Sequence, residues 1–154
     1  MSTPTPVPRA STVHTPYTCG NFRVEIDGIA ASSFSEVSGL EASIDVVEYR
    51  AGDAKLNAEQ KLPGLHKYNN ITLKRGLTQD TSLWNWINSA MSGVLNRANV
   101  AIILLDQADN PVLTWRVRNA WPCKWSGPVL SAQCSEVAIE TLELTHEGID
   151  LSAS

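Results

Sequence analysis

Histidine is the side chain best suited to acid–base or metal chemistry near neutral pH, and the sequence holds three, His14, His66 and His146. They stand in three widely separated segments and read as solvated or hydrogen-bonded residues, not as a ligand set. Two carboxylate pairs, Glu25 with Asp27 and Glu140 with Glu143, invite comparison with a hydrolase dyad. Carboxylates so close along a strand are more simply neighbours on its polar face. Cys19, Cys123 and Cys134 are odd in number and form no C-x-x-C pair, so neither a disulfide framework nor a zinc site is expected.

Known catalytic signatures are missing from the chain. It has no G-x-x-x-x-G-K-[ST], no G-x-G-x-x-G, no H-E-x-x-H and no G-x-S-x-G, and no nucleophile stands beside a base. Asn70-Ile71-Thr72 matches a glycosylation sequon inside a strand-like run and is read as a chance match. Trp115, Trp121 and Trp125 resemble a stacking platform, although packing in a core or an interface is the commoner use of such residues. The sequence therefore predicts a protein that is not an enzyme and holds no cofactor or metal.

Composition narrows the choice further. The 154 residues suit one domain of ordinary size, and 12 Lys and Arg against 16 Asp and Glu give a net charge of −4. That balance lacks the basic footprint of a nucleic-acid binder. Charged residues make up only 18%, below the roughly 25% typical of soluble domains, which fits a surface covered by other subunits. No apolar run approaches the ~20 residues of a membrane-spanning helix, nor does an apolar signal core open the chain. Synthesis in the cytoplasm, without membrane insertion by the monomer, is expected.

Residues 1–17 hold Pro4, Pro6, Pro8 and Pro16 among Ser and Thr, a composition that reads as an extended or flexible arm preceding a domain over 18–154. The spacing of these prolines is not P-x-x-P. Phe22, Val24 and Ile26 then alternate with Arg23, Glu25 and Asp27 as in a strand ended by Gly28. A second strand is expected in SIDVVEYR, with Ile44 and Val46 on one face and Val47 and Tyr49 on the other. Residues 51–68 lack a clean period and contain Gly52, Pro63 and Gly64, predicting a long inter-strand loop of the kind that is usually functional.

NITLKRG reads as another strand. After it, the spacing of Leu83, Ile87, Ala90, Met91, Val94 and Leu95 predicts one helix, capped by Asp80, Thr81 or Ser82 and anchored by Trp84 and Trp86. VAIILLD and VLTWRVR flank a turn at QADNP. In the last segment the apolar phase moves from Val137 and Ile139 to Leu142 and Leu144, which predicts a bulge near Thr141 or burial on both faces. The fold class expected from these elements is mainly β, an antiparallel β-barrel of roughly six or seven strands with one flanking helix.

Four features occur in order: FRVEIDG, FSEVSGLEASIDVVEYRAG, KLPGLHKYNNITLKRGLT, and LWNWI opening a helix. Over about residues 20–150 the series resembles the tail tube proteins of contractile phage tails and of phage-tail-like contractile injection systems. The combination of EVSGL, VEYR, KLPG and ITLKRG in that order is far more specific than any one of them.

The resemblance implies a β-barrel subunit whose hexameric rings stack into a hollow tube. A sheath protein surrounds that tube, baseplate, spike and cap proteins meet its ends, and effector cargo, or DNA in a phage, passes through its lumen. Such a subunit becomes part of an assembled particle that can be released outside the cell. The resemblance also implies subunit contacts at Val46, Glu48, Tyr49 and Arg50, along the loop with Gly52, Leu62, Pro63 and Gly64, and at Ile71, Leu73, Lys74 and Arg75. The competing readings are a baseplate-proximal initiator or adaptor related to the tube subunit, and a monomeric ligand-binding β-barrel.

Overall fold

A computed structural model of the chain describes residues 15–29, 33–49 and 60–153. The expected strand FRVEI is β1 (Phe22–Ile26), ended by Gly28 at positive φ. Next come the short β2 (Glu36–Ser38), β3 (Ala42–Tyr49), β4 (Gln60–Tyr68) and β5 (Ile71–Gly76). One helix, α1 (Ser82–Met91), precedes β6 (Ala98–Leu105), the long β7 (Pro111–Ser126), β8 (Ile139–Thr145) and β9 (Gly148–Ala153). The fold is thus mainly β, with antiparallel pairing throughout the described strands.

Six strands follow one another in the larger sheet in the order β1-β6-β7-β8-β5-β2, and β9 joins it by pairing with β7. The opening half of β7 pairs with β6 and β9, while its second half pairs with β8. Among the described residues β1 and β2 end this sheet, and their pairings do not close the predicted barrel into a ring. Inward-facing Val24, Val100, Ile102, Val117, Ile71, Leu73, Leu142 and Leu144 form the core, with Leu83 and Trp86 of α1 packed against it.

The helix is shorter than its apolar spacing predicts. It stops at Met91 because Gly93 takes φ +95°, a left-handed conformation that glycine adopts without a Cβ penalty. Met91 and Val94, expected on the buried face, are exposed. Trp86 does anchor the element: it is buried, and its indole N–H donates to the Asn96 carbonyl at 2.8 Å. The QADNP turn forms as read, with the Asp106 carboxylate accepting from the Ala108 and Asn110 amides at 2.9 Å.

Two expectations are corrected. Residues 60–68 are not loop but strand β4, paired with β3 from Ala42↔Tyr68 to Tyr49↔Gln60. Pro63 and Gly64 had masked this strand. The register shifts where Ile44 and Val46 face His66 and Pro63, an irregularity that accommodates a proline. In β8 there is no bulge at Thr141: Glu140, Leu142 and Leu144 all point inward in a regular alternation. Val137 lies outside the strand and is exposed, so it never belonged to that phase.

Candidate functional site

β3 and β4 form a two-stranded ribbon of their own, joined by backbone pairing to no other described strand. Isolated ribbons are marginal in water, since neither face is covered. This one is also rich in exposed apolar side chains: Ile44, Val46, Val47, Tyr49, Leu62 and Leu65, with Val46 64% and Leu65 74% exposed. Both of its faces are therefore apolar surface that lacks a cover within the described protomer, the signature of a protein–protein contact.

Several residues expected at a contact lie here. Val46 stands opposite Pro63, Glu48 opposite Lys61, and Tyr49 opposite Gln60. Leu62 pairs with Val47, and Gly64 lets β4 pass close to the Asp45 carbonyl, which a Cβ would meet at 3.0 Å. Arg50 and Gly52 lie outside the described residues. Ile44 and Leu65 belong to the same surface and were not among the expected contacts.

The second expected group divides. On β5, Ile71 and Leu73 are fully buried and Arg75 is 2% exposed, so these side chains already serve the protomer's own core. The period-2 pattern of ITLKRG separates them from Lys74, which faces out and pairs with Glu36 of β2 at 3.0 Å. The side chains of Ile71, Leu73 and Arg75, expected at a subunit contact, are thus already covered within the protomer.

Contacts at the ribbon's root fix its departure from the sheet. Gly39, at φ +89°, passes so close to Asn70 that a Cβ would collide with the Asn70 carbonyl. Asn69 donates to the Glu41 carboxylate, and Asn70 donates to Glu143 of β8 at 2.9 Å. From the β8–β9 junction, His146 Nε2 meets the Asn69 carbonyl at 2.9 Å, with its ring tilted against Tyr68. These links lie in the segments that lead into β3 and out of β4, and they tie the root of the ribbon to the core sheet.

The carboxylates of the two pairs singled out in the sequence have other partners. Glu25 is exposed and pairs with Arg23 at 3.1 Å. Glu140 is not on the polar face with Glu143: it points into the core, against Arg75 and the Trp125 indole N–H. Asp80 receives the Ser82 amide at 3.0 Å and lies 3.4 Å from Arg75. The hydrogen bond from the Ser82 backbone amide, with Arg75 adding to it, holds its carboxyl below the usual carboxylate value. Burial pushes the Cys123 thiol up. Among the described residues no group of three or more His, Cys, Asp or Glu side chains is arranged to hold a metal ion, and no helix is long and apolar enough to cross a membrane.

A second exposed apolar surface follows β7, where Val129, Leu130 and Val137 project from residues 127–138. Trp84 of α1 packs edge-on against Trp125 at the end of β7, with 5.0 Å between ring centroids. Trp125 is thus a packing residue, and Trp115 likewise packs against the core.

A family model described as T4-like virus tail tube protein gp19 matches residues 19–150. Among solved structures, the chain is similar to one from the sheath-tube complex of the extracellular contractile injection system PVC in its extended state. That match has 30% identity and a TM-score of 0.83, covering 92% of this chain and 95% of the other. A chain from the tube-terminating cap of the anti-feeding prophage matches with 26% identity, a TM-score of 0.83 and coverage of 92% and 94%. One from the anti-feeding prophage baseplate matches with 26% identity, a TM-score of 0.78 and coverage of 90% and 97%. No curated protein sequence matches the chain significantly.

Proposed function

Because this chain belongs to the tail tube protein family of T4-like viruses, we propose that it is the inner tube subunit of a contractile injection system or contractile phage tail. Hexameric rings of the subunit stack head to tail, and the β3–β4 ribbon carries the contact from one copy to the next. A heterologous contact that repeats with a small rise or twist propagates into a tube and does not close on itself. The exposed, apolar, unpaired ribbon supports this reading more than any other observation, since a monomer has no use for it.

In this role the subunit does mechanical work and catalyses nothing. Its rigidity comes from the core sheet; its lumen conducts effector cargo, or DNA in a phage, when the sheath around it shortens. Cap and baseplate proteins meet the two ends of the tube, and the cytoplasmic product ends up in an assembled particle. The likeness to chains from a cap and a baseplate structure supports a second reading, a related subunit that forms only the end of the tube.

Negative-stain electron microscopy of the purified protein, with its mass in solution, tests both. Stacked hollow tubes are expected for the tube subunit and single rings for the end component. A monomer that does not assemble even with baseplate components present would overturn the proposal.

A further inference from the structure

α1 buries Leu83, Trp86 and Ile87, but Trp84, on another side of the same helix, stays 39% exposed. Its ring meets Trp125 edge-on with the two planes 65° apart, so the indoles form two walls of a corner. A pocket of about 350 Å³ opens there, lined also by Leu77, Asp80 and the buried Glu140. Sites for whole small molecules run to about 300–1,000 Å³, so this one suits a single long side chain.

The walls are fixed before anything binds. Trp125 N–H donates to Glu140 at 3.2 Å, the Ser82 amide donates to Asp80 Oδ1 at 3.0 Å, and Arg75 Nη1 lies 3.4 Å from Asp80 Oδ2. An ionised carboxylate offers about four acceptor positions, so Asp80 keeps room for further donors, and its side chain is partly exposed. Charge then decides what fits. Among the described residues one guanidinium, Arg75, meets two carboxylates here, and the buried Glu140 is closely paired with it. The uncompensated negative charge therefore lies on the open side, at Asp80. The start of α1 contributes the opposite sign, but a helix terminus amounts to only about half a unit charge. Indole faces add to the preference, since the ring quadrupole attracts a cation.

We propose that this corner is a docking pocket for an arginine side chain of a partner protein, its guanidinium stacked on Trp84 and hydrogen-bonded to Asp80, its apolar stem laid against Leu77. A planar guanidinium satisfies ring and carboxylate together, whereas the compact ammonium of lysine is a more strongly hydrated point charge that does not stack. The stem of such a side chain is apolar and matches the exposed Leu77. Arg75 shows the same chemistry on the inner side of Asp80, where its guanidinium lies 5.9 Å from the Phe34 ring centroid. The proposal concerns one protomer and stands whether or not the protein forms tubes.

Calorimetric titration of the purified full chain with the capped peptide Gly-Leu-Arg-Leu-Gly tests it, compared with the same peptide carrying citrulline, which keeps the shape of arginine without its charge. At low ionic strength saturable binding in the millimolar range or tighter is expected, with the citrulline peptide at least about tenfold weaker. Trp84→Ala and Asp80→Asn should each weaken the arginine peptide at least about threefold. The comparison of the two peptides uses the unaltered chain, so it holds even if a variant folds poorly. Equal binding of both peptides would mean an uncharged apolar occupant and overturn the proposal, as would the absence of saturable binding. Affinity for the arginine peptide that both variants retain in full would place it elsewhere on the surface and overturn the assignment to this pocket.

Discussion

Arg75 and Glu140 stand directly opposite each other in the β5–β8 ladder, both 2% exposed, and pair through their side chains inside an otherwise apolar core. Further bonds complete the arrangement. Trp125 donates to the second Glu140 oxygen at 3.2 Å, and Arg75 Nη2 donates to the Asp80 carbonyl at 3.0 Å. The guanidinium also stacks 5.9 Å from the Phe34 ring centroid. One buried cation thus connects β5, β8 and the start of α1.

Breaking that pair from either side leaves a buried charge uncompensated. Glu140→Ala or Arg75→Ala is expected to lower unfolding free energy by about 3–5 kcal/mol, whereas the apolar double substitution Arg75→Met with Glu140→Leu should recover most of the loss. Chemical denaturation of the single and double variants checks this. Additive losses in the double variant would show that the two side chains act independently.

Asp80 adds a pH dependence at the same junction. Its carboxyl titrates lower in the folded protein than the ordinary value of 3.8, chiefly because it accepts a hydrogen bond from the Ser82 backbone amide. A lowered folded value means that the ionised form stabilises the fold above the unfolded value, and that this contribution fades as the pH falls through the folded one. Asp80→Asn should therefore be less stable than the parent at pH 7, with the gap shrinking as the pH drops below 3.8. Thermal unfolding of both proteins across that range measures it; a gap that stays constant with pH would argue against the assigned role.

Gly39 is tied to its position twice over, by φ +89° and by the Asn70 carbonyl that occupies the space of a Cβ. Left-handed backbone alone costs a β-branched or bulky residue on the order of 1–3 kcal/mol, and the overlap adds to it. Gly39→Val should thus lower the melting temperature and loosen the root of the ribbon. Hydrogen exchange should speed up in β3 and β4 more than in β6 and β7. Uniform changes in exchange would place the damage in the core instead.

These residues also show why sequence reading went only part of the way. Strands β1 and β5 were legible because their apolar residues alternate cleanly, and the QADNP turn because Asp, Asn and Pro favour turns. Periodicity failed where a polar residue takes an inward position. Glu140 occupies a core site in β8, so the apolar phase appeared to slip although the strand is regular. Its partner Arg75, opposite in the ladder but 65 residues away, cannot be identified by local spacing. β4 was missed for another reason: Pro63 and Gly64 are turn residues by propensity, and the strand pairs only with β3. Resemblance grouped Leu62 with Leu73 as contact residues, yet only the pairing distinguishes Leu62 and Leu65, exposed on the ribbon, from Leu73, sealed in the core.

The ribbon offers the most direct test of assembly. Tyr49 and Leu62 are both about half exposed, and neither belongs to the hydrophobic core cluster. Aspartate at both positions should leave the core sheet intact, since surface substitutions away from buried features usually shift stability by no more than about 0.5 kcal/mol. Burying two unpaired carboxylates in a packed contact is far more costly, so Tyr49→Asp with Leu62→Asp should abolish rings and tubes. Circular dichroism and thermal unfolding should report a folded protein, and sedimentation should report a monomer. Tubes formed normally by the double variant would remove the ribbon from the contact and direct attention to the other exposed apolar surface, at Val129, Leu130 and Val137.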